Sequence, residues 1–203
     1  VIFVARASRY LGWIGLQDQV RPGATEALEE LRVLGIKRIA MITGDRKAVA
    51  GAVASQIGCR EFEAECLPQQ KVAFVNRVKS EGYRVAFVGD GVNDAPALAA
   101  GDTGIAMGAA GSDVAIHSAS VALMNSDLRR LPFLIRLSRM ARTVVFQNIA
   151  VGGLFILGGV IFSGLGKLNP IVATLLHNAG SLIVVFNSAR LIRSGEELEA
   201  PRK

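Results

Sequence analysis

The chain has 203 residues, 51% of them hydrophobic, with a mean hydropathy of +0.38 and a formal net charge of +6. That length can bury a real core in one or two domains, but such apolar content with positive charge speaks against an ordinary soluble enzyme and fits a membrane protein with basic flanks. The Lys and Arg residues form no patch interleaved with aromatics, which argues against a nucleic-acid partner. The only two cysteines, Cys59 and Cys66, indicate neither a disulfide framework nor a Cys-x-x-Cys metal site.

Val1 to Ala5 and Leu11 to Leu16 read as strands. Pro22 to Leu34 reads as a helix, with Ala27, Leu28, Leu31 and Leu34 at helical spacing and Gly35 closing it. Arg38 to Ile42 is a buried strand pattern that runs into Thr43-Gly44-Asp45. A threonine at that strand end can hydrogen-bond a phosphate oxygen, and Gly44 leaves backbone amides open to it. A helix from Arg46 to Ile57 ends at Gly58, and a short strand lies near Phe62 to Ala64. Pro68-Gln69-Gln70-Lys71 opens the next helix, where Pro is tolerated and Lys71 can reach back toward phosphate as a point charge.

The strand Arg84 to Val88 leads into Gly89-Asp90-Gly91-Val92-Asn93-Asp94-Ala95-Pro96-Ala97-Leu98. Two carboxylates then stand at the carboxyl end of a buried strand, where open α/β sheets hold ligands. Asp90 is placed for Mg²⁺, Gly91 lets backbone approach a phosphate, Asn93 offers amide donors, and Asp94 orders the loop or a metal-bound water. Strands near Thr103 to Ala106 and Ser120 to Leu123 follow. The alternation predicts a parallel sheet with helices on both faces.

Asp127 onward reads as a basic helix carrying Arg129, Arg130, Arg136, Arg139 and Arg142. Thr143 to Gly166 and Leu168 to Ala189 then contain no charged residue, and each is long enough to cross a bilayer, which takes about 20 residues. Arginines flank both runs on one side, so both ends are expected in the cytoplasm and the Lys167 turn outside. Gln147, Asn148, Asn169, His177, Asn178, Ser181, Asn187 and Ser188 are polar groups inside these runs. His177 is open to two readings, a transition-metal ligand helped by Asn178 and Ser181, or a hydrogen-bonding contact between helices.

Thr43-Gly44-Asp45, Pro68-x-x-Lys71 and Gly89-Asp90-Gly91-Val92-Asn93-Asp94 resemble the second, third and fourth motifs of the haloacid dehalogenase superfamily, in the wording used by P-type ATPases. Asp18-x-x-Arg21-Pro22 and Gly104-Ile105-Ala106-Met107-Gly108 match that family too. The resemblance implies a Rossmann-like α/β fold followed by a transmembrane helical hairpin. It divides the chain into a partial phosphorylation domain at 1–126, a cytoplasmic stalk helix at 127–142, two membrane helices at 143–192 and a tail at 193–203.

It also implies ATP as substrate and Mg²⁺ held by Asp90, with Asp94 behind it. Thr43, Gly44, Asp45, Lys71, Asn93 and Asp94 would do the catalytic work on the phosphoryl group. The helix ending resembles the heavy-metal branch of the family. There His177 and Asn178, with Asn148, would bind a divalent transition-metal ion. The copper pattern is absent, and Asn178 stands where the zinc and cadmium pattern has an aspartate, so the ion stays open. The implied location is a prokaryotic plasma membrane, with the first domain and the C-terminus cytoplasmic.

One departure matters. The family's phosphorylated aspartate lies in an Asp-Lys-Thr-Gly-Thr sequence, and none occurs here. The expectation is therefore the C-terminal part of a longer pump, which needs its N-terminal part and does not turn over ATP alone. A non-catalytic membrane subunit and a soluble phosphatase of the same superfamily are the alternatives.

Overall fold

The computed structural model describes the backbone of residues 2–7, 9–14, 20–90, 93–108 and 113–199, and the side chains of all of these except 2, 113–115 and 193–199. Asp18, Gly91 and Val92 lie outside the described residues. The chain divides into two compact units, Val1–Arg129 and Arg130–Lys203.

In the first unit, β1 (Ile2–Arg6) and β2 (Arg9–Ile14) form a hairpin that pairs Phe3 with Trp13. Strands this closely connected pair antiparallel, so the expected parallel arrangement holds only for the strands that follow. Those alternate with helices: α1 (Ala24–Val33), β3 (Ala40–Ile42), α2 (Lys47–Gln56), β4 (Glu61–Glu63), α3 (Pro68–Ser80), β5 (Ala86–Gly89), α4 (Ala95–Ala100), β6 (Thr103–Met107), α5 (Asp113–Ser118) and β7 (Val121–Leu123). β3 pairs in parallel with β4, and β5, β6 and β7 pair in parallel in that order.

Two boundaries moved for visible reasons. α1 starts at Ala24 rather than Pro22, because 21–24 is a turn closed by the Ala24 N–H on the Arg21 carbonyl at 3.2 Å. β3 starts at Ala40 rather than Arg38, whose guanidinium instead reaches out to the Glu61 and Glu81 carboxylates. α5 was not expected; six residues are too short to show a helical apolar stripe.

The core of this unit lies on both sides of β3. Ile39 and Met41 pack with Leu28, Ala54 and Cys59, whereas Ile42 packs with Val75, Phe87, Ala97, Leu98 and Ala106. Successive strand residues point to opposite faces, so one short strand serves both clusters. The buried residues on α3 (Phe74, Val75, Val78) recur at helical spacing, and Val75 shares one core with Ala97 and Leu98 of α4 and Phe87 of β5, which brings the start of α3 and the loop before α4 to one end of β5.

The second unit is a helical hairpin. α6 (Arg130–Gly164) runs unbroken through the expected stalk and first apolar run, and α7 (Pro170–Glu199) forms the second. α6 begins after the expected Asp127, because that carboxylate accepts from the Arg129 N–H at 3.0 Å and binds the Arg129 guanidinium at 2.8 Å, closing the turn ahead of the helix. Asn169 and Pro170 prove to be a helix start. The Asn169 Oδ1 accepts from the Val172 N–H at 2.8 Å, with Pro170 at the first helical position. Leu154, Ile156, Val160, Ile171, Leu175 and Phe186 leave large apolar side chains exposed along both helices, as a bilayer rather than water demands.

Candidate functional site

The turn after β3 is fixed by its own side chains. The Thr43 N–H donates to the Glu63 carbonyl at 3.0 Å, extending the β3–β4 ladder by one residue. The Thr43 Oγ1 donates to the Asp45 carboxylate at 2.7 Å and accepts from the Asp45 N–H at 3.1 Å. The Glu65 N–H bonds the Asp45 carbonyl at 2.8 Å, and the Cys66 N–H the Thr43 carbonyl at 3.0 Å. Thr43 is therefore held half-buried at a strand end, with Gly44 and Asp45 exposed beside it.

Lys71 lies in the first turn of α3, where the Gln70 side chain accepts from the Leu67 N–H at 2.7 Å and fixes the start of the helix. Its Nζ donates to the Asp94 Oδ1 at 2.6 Å. Both side chains are mostly shielded, at 13% and 15% exposure, so this pair is far less screened than a surface ion pair. The Asp94 carboxylate also explains Gly89. A Cβ at 89 would stand 2.6 Å from the Asp94 Oδ2 and displace it. Asp90 and Asn93 are exposed on the same loop.

The charges colour their surroundings. Burial pushes the Cys66 thiol pKa up, Glu63 adds to this, and the Lys71 ammonium opposes it. Among the described residues no three His, Cys, Asp or Glu side chains converge to cage a metal. Mg²⁺ does not need such a cage. It is typically held by one or two carboxylates together with water and substrate phosphates, and an exposed Asp90 beside Lys71 and Asp94 suits that role.

Two groups of polar residues in the second unit bear on function. Near one end of the hairpin the Asn148 Nδ2 donates to the Ser188 Oγ at 2.8 Å, while the Asn187 Nδ2 donates to the Asn148 Oδ1 at 2.9 Å and the Gln147 Oε1 at 3.1 Å. Arg190 donates to the Asn187 Oδ1 at 3.1 Å. His177 and Asn178 form the other group, both exposed, about 15 Å further along α7 at a rise of 1.5 Å per residue. The structure does not bring Asn148 to them. Between the groups, Gly180 is buried against the Phe155 ring, which a Cβ there would meet at 3.1 Å.

The pairing of Lys71 with Asp94 was not legible beforehand, since 23 residues separate them. The involvement of Arg190 was equally hidden, although its place three residues after Asn187 on a helix was the available signal.

Comparison with known proteins decides the family. The haloacid dehalogenase-like hydrolases match over residues 1–102. The chain belongs to this family. Within the haloacid dehalogenase-like hydrolases its curated relatives are heavy-metal P-type ATPases. It is 48% identical over 183 residues to a manganese-exporting P-type ATPase of Mycobacterium tuberculosis (strain ATCC 25618 / H37Rv), covering 90% of this chain and 26% of that protein. It is 42% identical over 193 residues to a zinc-transporting ATPase of Bacillus subtilis (strain 168), covering 95% of this chain and 30% of that one. A crystal structure of a zinc-transporting PIB-type ATPase in its E2.Pi state superposes with a TM-score of 0.78 at 38% identity, covering 93% of this chain and 31% of that one. The chain thus spans about a quarter to a third of the length of the relatives it matches. The haloacid dehalogenase-like unit with its parallel strands, followed by two long apolar helices, is the architecture expected from the sequence.

Proposed function

We propose that this chain is the C-terminal part of an ATP-driven pump that exports a divalent transition-metal ion through an aspartyl-phosphate intermediate. The proposed organisation is a partial phosphorylation domain at 1–126, a stalk at 127–142, two membrane helices at 143–192 and a tail at 193–203. The observation that carries the reading is the shielded Lys71–Asp94 pair beside the exposed Asp90, at the end of β5.

Phosphoryl transfer is mostly positioning and charge neutralisation. Asp94 holds the Lys71 ammonium in place, ready for phosphate oxygens. The Gly44 backbone and the Asn93 amide would supply further donors, and the Thr43 hydroxyl would add its own by turning its proton from the Asp45 carboxylate to a phosphate oxygen. Asp90 would hold Mg²⁺, which neutralises charge on the transferring group. The nucleophilic aspartate and the nucleotide contacts belong to the remainder of the pump.

His177 and Asn178 are the proposed ligands of the cargo, with manganese or zinc the candidates that the relatives' transport supports. Asn148, the further ligand the resemblance implies, is bonded at both its amide nitrogen and its oxygen across the hairpin, so binding the ion would require it to give up one of these bonds. The arginine flanks favour a cytoplasmic location for the first unit and the C-terminus in a prokaryotic plasma membrane.

The test is phosphorylation of the full-length protein with labelled ATP. A hydroxylamine-sensitive phosphoprotein that needs Mg²⁺ and responds to Mn²⁺ or Zn²⁺ is expected. No such phosphoprotein under any of these ions would overturn the reading. An antibody to α3 on source membranes should detect a band several-fold heavier than 21.5 kDa.

A further inference from the structure

The face of α6 that carries Arg139, Arg142, Thr143 and Phe146 holds an open recess of about 370 Å³. These residues sit at positions i, i+3, i+4 and i+7, so they share one side of the helix. The recess lies where the helix changes solvent, since Arg142 is the last charged residue before Lys167. The Arg142 guanidinium stands 5.5 Å from the Phe146 ring centroid, a cation–π contact that holds the charge at the edge of the apolar run. The Thr143 hydroxyl donates to the Arg139 carbonyl at 3.0 Å, which leaves the two guanidiniums as the donors of the recess.

The charge of the hairpin is one-sided up to the last turns of α7, where residues 196, 197 and 199 are glutamates. From residue 128 to 195 the chain has seven Arg, one Lys and no Asp or Glu. Between Arg139 and Phe146 the helix climbs about 10 Å, enough to pass through the headgroup layer of roughly 5–8 Å and reach the acyl chains.

We propose that this recess binds the phosphate of an anionic glycerophospholipid in the leaflet that α6 enters from its N-terminal end. The guanidinium forks of Arg139 and Arg142 match phosphate oxygens, and Phe146 packs at the start of the acyl chains. A bound headgroup would fix the depth at which the continuous α6 passes from water into lipid. The inference rests on the membrane reading of α6 and α7.

The test places the full-length protein in phosphatidylcholine nanodiscs doped with phosphatidylglycerol and counts retained lipids by native mass spectrometry. The wild-type protein should retain phosphatidylglycerol in preference to phosphatidylcholine. Arg139→Gln and Arg142→Gln should each lower that preference about fivefold, as expected for one lost cation at an anionic surface. Lys167→Gln, the same charge change at the other end of the span, should leave it unchanged. Equal helix content by circular dichroism shows that the variants have folded.

A preference that survives loss of both arginines, or falls equally with Lys167→Gln, would overturn the site. So would displacement of the lipid by inorganic phosphate, which would make this a soluble-anion site. Failure of the wild-type protein to insert would overturn the membrane reading with it, whereas insertion without lipid preference overturns the site alone.

Discussion

Asn148 on α6 and Ser188 on α7 meet across the hairpin through a 2.8 Å hydrogen bond, and Asn187 closes onto the remaining oxygen of Asn148 at 2.9 Å. Such bonds between neutral groups in a membrane are individually modest, averaging about 0.6 kcal/mol. Asn148→Ala and Ser188→Ala should each loosen the hairpin, and the double variant should cost less than the sum by about that amount. Steric trapping of the reconstituted chain measures it, and strictly additive losses would show that the two residues are not coupled. Asn187→Ala should be the most damaging single change, because Asn187 bonds Gln147, Asn148 and Arg190.

The same two helices show how far the sequence reaches. Their apolar length was legible because a bilayer imposes it on composition. Which polar residues pair across them was not, because that depends on the rotation of one helix against the other. Asn148 looked like a companion of His177, and only the register places it beside Asn187 and Ser188. In the first unit the strand–helix alternation and the strings at Thr43, Lys71 and Asp90 were readable locally. The ion pair of Lys71 with Asp94 needed α3 and α4 to be packed on the shared core of Val75, Ala97 and Leu98.

Gly89 and Lys71 both act on Asp94. Gly89→Ala puts a methyl 2.6 Å from the Asp94 Oδ2 and should destabilise the first unit by about 1–3 kcal/mol, the usual range for forced overpacking. Lys71→Ala leaves a shielded carboxylate without its cation and should cost about 3 kcal/mol. Because both routes end at one carboxylate, the double variant should lose less than the sum. Urea unfolding of the reconstituted chain reads all three, and a wild-type midpoint in Gly89→Ala would mean that the loop relaxes freely.

Acid should weaken the first unit through Asp102 and Glu61. The Asp102 carboxylate accepts from the Val85 N–H at 2.9 Å and faces Arg84 at 3.2 Å and Lys79 at 3.7 Å. Its pKa lies below the usual carboxylate range, with the Val85 N–H the largest cause. Glu61 is lowered chiefly by its hydrogen bond from Arg38. When the chain unfolds these carboxyls return to about 4, so the unfolded state takes up protons first as pH falls. Their stabilisation is complete above about pH 5 and fades as pH drops through the unfolded values toward the lower folded ones. Asp102→Asn should therefore give a shallower acid limb of unfolding free energy against pH. An unchanged slope would remove Asp102 from the account.

The two ends of the proposed pump are separable by one pair of variants in the full-length protein. Asp90→Asn keeps the size of the side chain but removes the charge that would hold Mg²⁺, so phosphoenzyme turnover should fall by about 10²-fold or more while folding is retained. His177→Ala lies on α7, outside the first unit, and should leave the Mg²⁺ requirement unaltered while abolishing stimulation by the transported ion. Measuring turnover against Mg²⁺ and against Mn²⁺ or Zn²⁺ for both variants distinguishes the outcomes. Normal turnover in Asp90→Asn would sink the phosphoryl-transfer assignment. Unchanged metal stimulation in His177→Ala would instead make His177 a contact between helices, leaving the chemistry at Asp90 intact.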